Sequence, residues 1–247
     1  MNNSVPILPA VGQAVRGLSA LFWGLPLALL ACAKVTLGET WRVFGGFFTL
    51  PFRVPDGWRW LFNTVAACLP ALAALLLVLL GLRMLSRFQP QERPWRAALE
   101  RARIFNLLLL ALTPFAYWWN LAPREPMFFQ SVTLFALAGI GFLLTLNQVL
   151  ARLALMIPDE VLRSDTRLFS RVNRHLILLL GALFLMEIAG AVLGTRLPMA
   201  VLVFLNDLSE SRHLLLVVLA LLPTALTMTL LWRAKETLFA SVFRADR

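Results

Sequence analysis

Hydrophobic positions in this chain fall into six long blocks, set apart by shorter polar stretches. The blocks cover approximately 18–36, 61–83, 104–122, 128–157, 176–194 and 213–232. A helix needs roughly 20 apolar residues, at 1.5 Å rise each, to cross a bilayer. All six blocks qualify. The pattern predicts an all-α, polytopic integral membrane helix bundle of six transmembrane helices. Paired in sequence order, the spans form three hairpins that open outward. No connection is long enough for a separate soluble domain, so 1–247 reads as a single membrane domain.

The stretches between the blocks have their own patterns. The first outer connection, 37–60, carries Trp41, Phe44, Phe47, Phe48, Phe52, Trp58 and Trp60, broken by Gly45, Gly46, Pro51 and Pro55. Aromatic rings favour the headgroup zone, so this segment is expected along the outer interface. After Pro198 comes a second apolar insert, 199–205, too short to span and expected to be interfacial or re-entrant. In 83–103, Pro94 is placed to start a helix that continues into the third span. In 159–175, Asp159 and Glu160 follow Pro158, a favourable helix start. At about 100° per residue, Arg163, Arg167, Arg171 and Arg174 fall on one face of that helix. Val161, Leu162, Leu168, Phe169 and Val172 fall opposite. A basic amphipathic helix of this kind is expected on the cytoplasmic leaflet, its arginines at anionic headgroups.

Composition strengthens the membrane reading. The chain is 60% hydrophobic, and its mean hydropathy of +0.77 exceeds what a soluble domain of 247 residues can bury. The formal charge of +10 reports topology rather than nucleic acid. With a cytoplasmic N-terminus, sixteen basic residues fall inside and seven outside, which satisfies the positive-inside rule with both termini in the cytoplasm. Arginine outnumbers lysine by twenty-one to two. That bias suggests a GC-rich genome and hence a bacterial inner membrane. The first apolar block is expected to stay as an uncleaved helix, since Pro26 interrupts it and Lys34 follows at once. Cys32 and Cys68 lie in the first two spans. They could reach each other, but two buried thiols packing as small apolar groups is the better expectation. Nothing resembles a metal-ligand spacing.

Candidate chemistry is sparse. Glu187 is the sole charge between His175 and Arg196. It lies eleven residues beyond Leu176, about 16 Å along a helix and close to the bilayer midplane. An acid at that depth demands hydrogen-bonding neighbours or a role in moving protons or ions. Hydroxyls at a similar depth are Thr113, Tyr117, Thr224 and Thr227. On the fourth span Gln130, Thr133, Gly141, Thr145, Gln148 and Arg152 share one face, expected to meet protein or water rather than lipid. Pro26, Pro70, Pro114 and Pro223 each sit near the middle of a different span and can bend it. Gly190 and Gly194 make one GxxxG, which permits close helix packing.

No metalloprotease, serine-hydrolase, nucleotide-binding or paired-carboxylate motif occurs, and His175 and His213 lie on opposite expected faces of the membrane. No catalytic residue, metal ligand or cofactor is therefore expected. The leading expectation is a non-enzymatic subunit, assembly factor or scaffold that works through helix packing, anionic lipid headgroups and a membrane-protein partner. Arg163, Arg167, Arg171 and Arg174 are its headgroup candidates. One alternative is a small permease with Glu187, Thr145, Gln148 and Tyr117 along a solute or proton path. A second is a lipid-handling enzyme at the aromatic outer segment.

Overall fold

A computed structural model describes residues 7–37, 59–88, 91–157, 160–193 and 199–245. Side chains at 7–10, 37, 59–62, 161–162, 187, 191–193, 199–216 and 241–245 lie outside the description. Among the described residues there are six helices and no strand: α1 (Ile7–Leu37), α2 (Arg59–Leu85), α3 (Arg93–Leu121), α4 (Pro126–Met156), α5 (Glu160–Leu193) and α6 (Met199–Ala245). All six are long and apolar enough to cross a membrane. The chain has the makings of a multi-pass membrane protein. Each helix packs on the next in sequence, and α6 returns to α1, so the six close into a ring.

Local sequence sets the helix ends. Pro94 and Pro126 stand in the first turns of α3 and α4, where a missing N–H costs nothing. Glu92 and Glu125 hold the extended N-cap positions before them, negative charge at the positive end of each helix. At the far end of α3 the Ala122 N–H closes back on the Trp118 carbonyl at 3.0 Å. Pro26, Pro70, Pro114 and Pro223 lie inside helices that continue past them.

Two expected breaks are missing. The basic segment 159–175 and the span after it are one helix, α5, of 34 residues. No Gly or Pro stands between Glu160 and Gly181, so polarity changes there while the backbone has no reason to stop. At 1.5 Å per residue α5 is about 51 Å long, against roughly 30 Å of hydrocarbon. The apolar insert 199–205 is likewise part of α6, a helix of 47 residues. Residues 38–58 of the aromatic connection lie outside the described residues, as does Gly194 of the GxxxG pair.

Packing explains the ring. Gly17 and Gly24 of α1 face Gly81 and Val78 of α2. A Cβ on Gly17 would sit 2.8 Å from Leu85 Cδ1, and one on Gly24 2.9 Å from Val78 Cγ2. Small residues at these points let the backbones approach, which is how helices gain dispersion energy in lipid. Outward faces are apolar: Trp23, Leu27, Leu76, Leu107, Leu137, Leu185 and Leu221 are all large and exposed. Cys32 and Cys68 are both free thiols, and Cys68 is buried against the Thr113 carbonyl of α3 at 3.9 Å.

Four asparagines stitch neighbouring helices. Asn106 Nδ2 donates to Leu75 O at 3.0 Å, joining α3 to α2. Asn120 Nδ2 donates to Val35 O at 2.6 Å, joining α3 to α1. Asn147 Nδ2 donates to Ser170 O at 2.9 Å, joining α4 to α5. Asn173 Nδ2 donates to Thr227 Oγ1 at 3.0 Å, joining α5 to α6. Such bonds are worth ~0.6 kcal/mol each on average between membrane helices. Their main contribution is register, because each ties one rung of a helix to one rung of its neighbour.

Candidate lipid-headgroup site

The end of α4 and the first half of α5 pack side by side. Asn147 ties the pair at Ser170. Nearer the start of α5, Arg163 reaches back to the end of α4, and its Nη2 donates to Ile157 O at 3.3 Å. A guanidinium at the carbonyl end of α4 opposes the negative pole of that helix. On the other flank, Asp165 forms an ion pair with Arg233 of α6, and the Arg233 guanidinium lies 5.6 Å from the centre of the Phe169 ring. Asn173, Thr227 and the Pro223 carbonyl continue the α5–α6 contact as a relay of hydrogen bonds.

Between α4 and α5 lies a cleft of about 480 Å³, in the range of small-ligand sites. Its α4 wall is small and apolar: Ala151, Ala154 and Leu155. Its α5 wall carries Arg163, Arg167, Arg171, Arg174 and His175, with Thr166 and Ser170 between them. All four arginines expected to meet headgroups thus line one concavity. The sense of the α5 amphipathicity differs from expectation, though. Thr166, Asn173 and Ile177 are buried against the bundle, while Leu168 and Val172 are exposed. The arginines flank the buried face instead of standing opposite an apolar one. The reason is that α5 packs against α4 and α6 along this half and does not rest alone on a surface.

Charge in the cleft is one-signed. Among the described residues no Asp or Glu lines it, and Asp165 is engaged with Arg233. Arg167, Arg171 and Arg174 are exposed and make no side-chain hydrogen bond or ion pair among the described residues. Three unmatched guanidinium groups beside an apolar wall suit an anion with a planar or tetrahedral oxygen array.

The residues of the transport alternative do not converge in this way. Glu187 lies on the α5 backbone, and its side chain is outside the described residues. Thr145 is buried and its hydroxyl turns back to Gly141 O and Phe142 O, both at 2.9 Å. Gln148, three residues on, is exposed. Tyr117 sits half-buried beside Val35, Ala71 and Ala116, between α1, α2 and α3. Of the hydroxyls at Glu187's expected depth, Thr113, Thr224 and Thr227 each donate to a carbonyl of their own helix. The polar stripe of α4 is mainly a packing surface at its middle: a Cβ on Gly141 would strike the Phe105 ring at 2.6 Å.

Sequence reasoning passed over the asparagines, although lone amides inside apolar spans are a readable signal. It also passed over Trp95, which is wholly buried and donates from Nε1 to Phe88 O at 3.0 Å. The chain matches no protein-family model, and no curated protein or solved structure is significantly similar to it.

Proposed function

We propose that this chain is a non-enzymatic, multi-pass protein of a bacterial inner membrane that works by holding anionic lipid and docking to a membrane partner. In this reading the spans form three hairpins, both termini are cytoplasmic, and the arginine cleft opens at the cytoplasmic leaflet. The observation that carries the reading is the convergence of Arg163, Arg167, Arg171 and Arg174 on one cleft with an apolar opposite wall. Basic side chains near an anionic leaflet gain about 1 kcal/mol each. The cleft adds shape to that attraction, so a lipid is held at a fixed place rather than in a diffuse layer.

The test is native mass spectrometry of the full-length protein extracted in mild detergent. The triple variant R167Q/R171Q/R174Q is expected to lose most co-purifying acidic phospholipid while keeping its helical circular dichroism. Unchanged retention overturns the proposal. On the same reading E187Q leaves lipid retention and fold as they are. The geometry lends the transport alternative no comparable support, because Thr145 and Gln148 do not share an environment.

A further inference from the structure

The four arginines stand at steps of four, four and three residues along α5. Their Cα atoms therefore run over about 16 Å of helix. Arg163 already gives one donor to Ile157 O. Arg167, Arg171 and Arg174 remain, spread over about 10 Å. One phosphodiester carries a single negative charge and one tetrahedral set of oxygens. It accepts a bidentate grip from one arginine, or single bonds from two. A guanidinium at the far end of the row is then left without a counter-charge, next to like charges. Two phosphates, placed one after the other along the helix, answer two of the three charges and match the row in length.

The same face changes character further along α5. At about 100° per residue, Leu178 and Leu185 fall in line with Arg167, Arg171 and Arg174. They are 51% and 54% exposed. Between them Gly181 abuts α4, where a Cβ would lie 3.7 Å from Ile140 Cγ2. The cleft thus closes towards the span and continues outside it as an exposed apolar track. A ligand that uses both features has an anionic end and a hydrocarbon end.

We infer that the cleft selects an acidic lipid whose headgroup carries two phosphate groups over lipids with a single phosphodiester. The inference rests on the headgroup reading above and specifies its chemistry. Its test uses the full chain in phosphatidylcholine nanodiscs. One set contains diphosphatidylglycerol, and another contains twice the molar amount of phosphatidylglycerol, so that total lipid charge is equal. Bound lipid is read by native mass spectrometry. The two-phosphate lipid is expected to bind about tenfold more tightly, and R171Q/R174Q to reduce it to the level of the one-phosphate lipid. R171K/R174K, which keeps the charge but loses the planar fork, is expected to fall between.

Equal binding of both lipids at matched charge, still dependent on the arginines, overturns the two-phosphate inference and leaves the headgroup reading standing. Binding of neither lipid in an arginine-dependent way overturns both. Inorganic diphosphate added to lipid-free protein in detergent separates the remaining source. If it binds as tightly as the lipid does, the occupant is a soluble anion and the lipid assignment fails.

Discussion

Two joints of this bundle are built on the same device and finished differently. At the α2–α3 joint, Arg103 Nη2 donates to Leu82 O at 3.2 Å; at the α4–α5 joint, Arg163 Nη2 donates to Ile157 O at 3.3 Å. Each arginine reaches from one helix to a carbonyl at the end of the helix before it. In both, Nε is buried without a partner. The first joint is then filled. Trp95 occupies it with no exposed surface, packed with Leu85, Phe88 and Leu99. The second is left open as the arginine cleft. A cation that braces a helix end is enclosed in one joint and is the first member of an open arginine row in the other. What separates the two is an aromatic plug, not the charge.

That contrast can be broken in four ways. The largest effect is expected from W95A, which empties the filled joint. Removing a buried Trp costs about 3–5 kcal/mol. Unfolding in detergent should show this loss, with lipid retention at the other joint unchanged. A cost below that of an ordinary surface substitution would mean that the plug is not what closes the joint. Next is the converse, A151W, which puts an aromatic group into the open joint. Overpacking is expected to cost about 1–3 kcal/mol, and acidic lipid should no longer co-purify with the variant. A third comparison pairs R103Q with R163Q. Each removes a cation from a helix end, worth about 0.3–1 kcal/mol. Both should lower the melting temperature similarly, but only R163Q should also weaken lipid retention. The smallest effect is expected from N173L. It deletes the hydrogen bond to Thr227 and should cost ~0.6 kcal/mol, seen as faster backbone amide exchange between α5 and α6.

The six spans were legible because hydrophobic length is a property of sequence alone, and the described helices contain each of the expected blocks except the last residue of 104–122, 128–157 and 176–194. Pro94 likewise announced the start of α3. Helix continuity across 160–193 is not legible in the sequence, because the change from arginine-rich to leucine-rich mimics a change of element. Backbone hydrogen bonding is indifferent to that change. The arginine row was legible from its spacing, whereas the Ala151, Ala154 and Leu155 wall was not. Which face of α4 meets α5 is decided by tertiary packing. Glu187 drew attention as a charge, while Asn106, Asn147 and Asn173 were overlooked. The lone amides are readable in the sequence, but their partners, backbone carbonyls or a threonine on another helix, are not.

The uninterrupted run of α5 has a mechanical consequence. Its lipid-facing half and its arginine half share one backbone with no flexible joint between them. Matching the hydrophobic half to a thinner or thicker bilayer therefore slides or tilts the whole rod, at a modest energy per ångström of mismatch. On the proposed headgroup reading, the depth of the guanidinium groups relative to the phosphate plane follows directly, and the grip on acidic lipid is coupled to the thickness of the surrounding membrane.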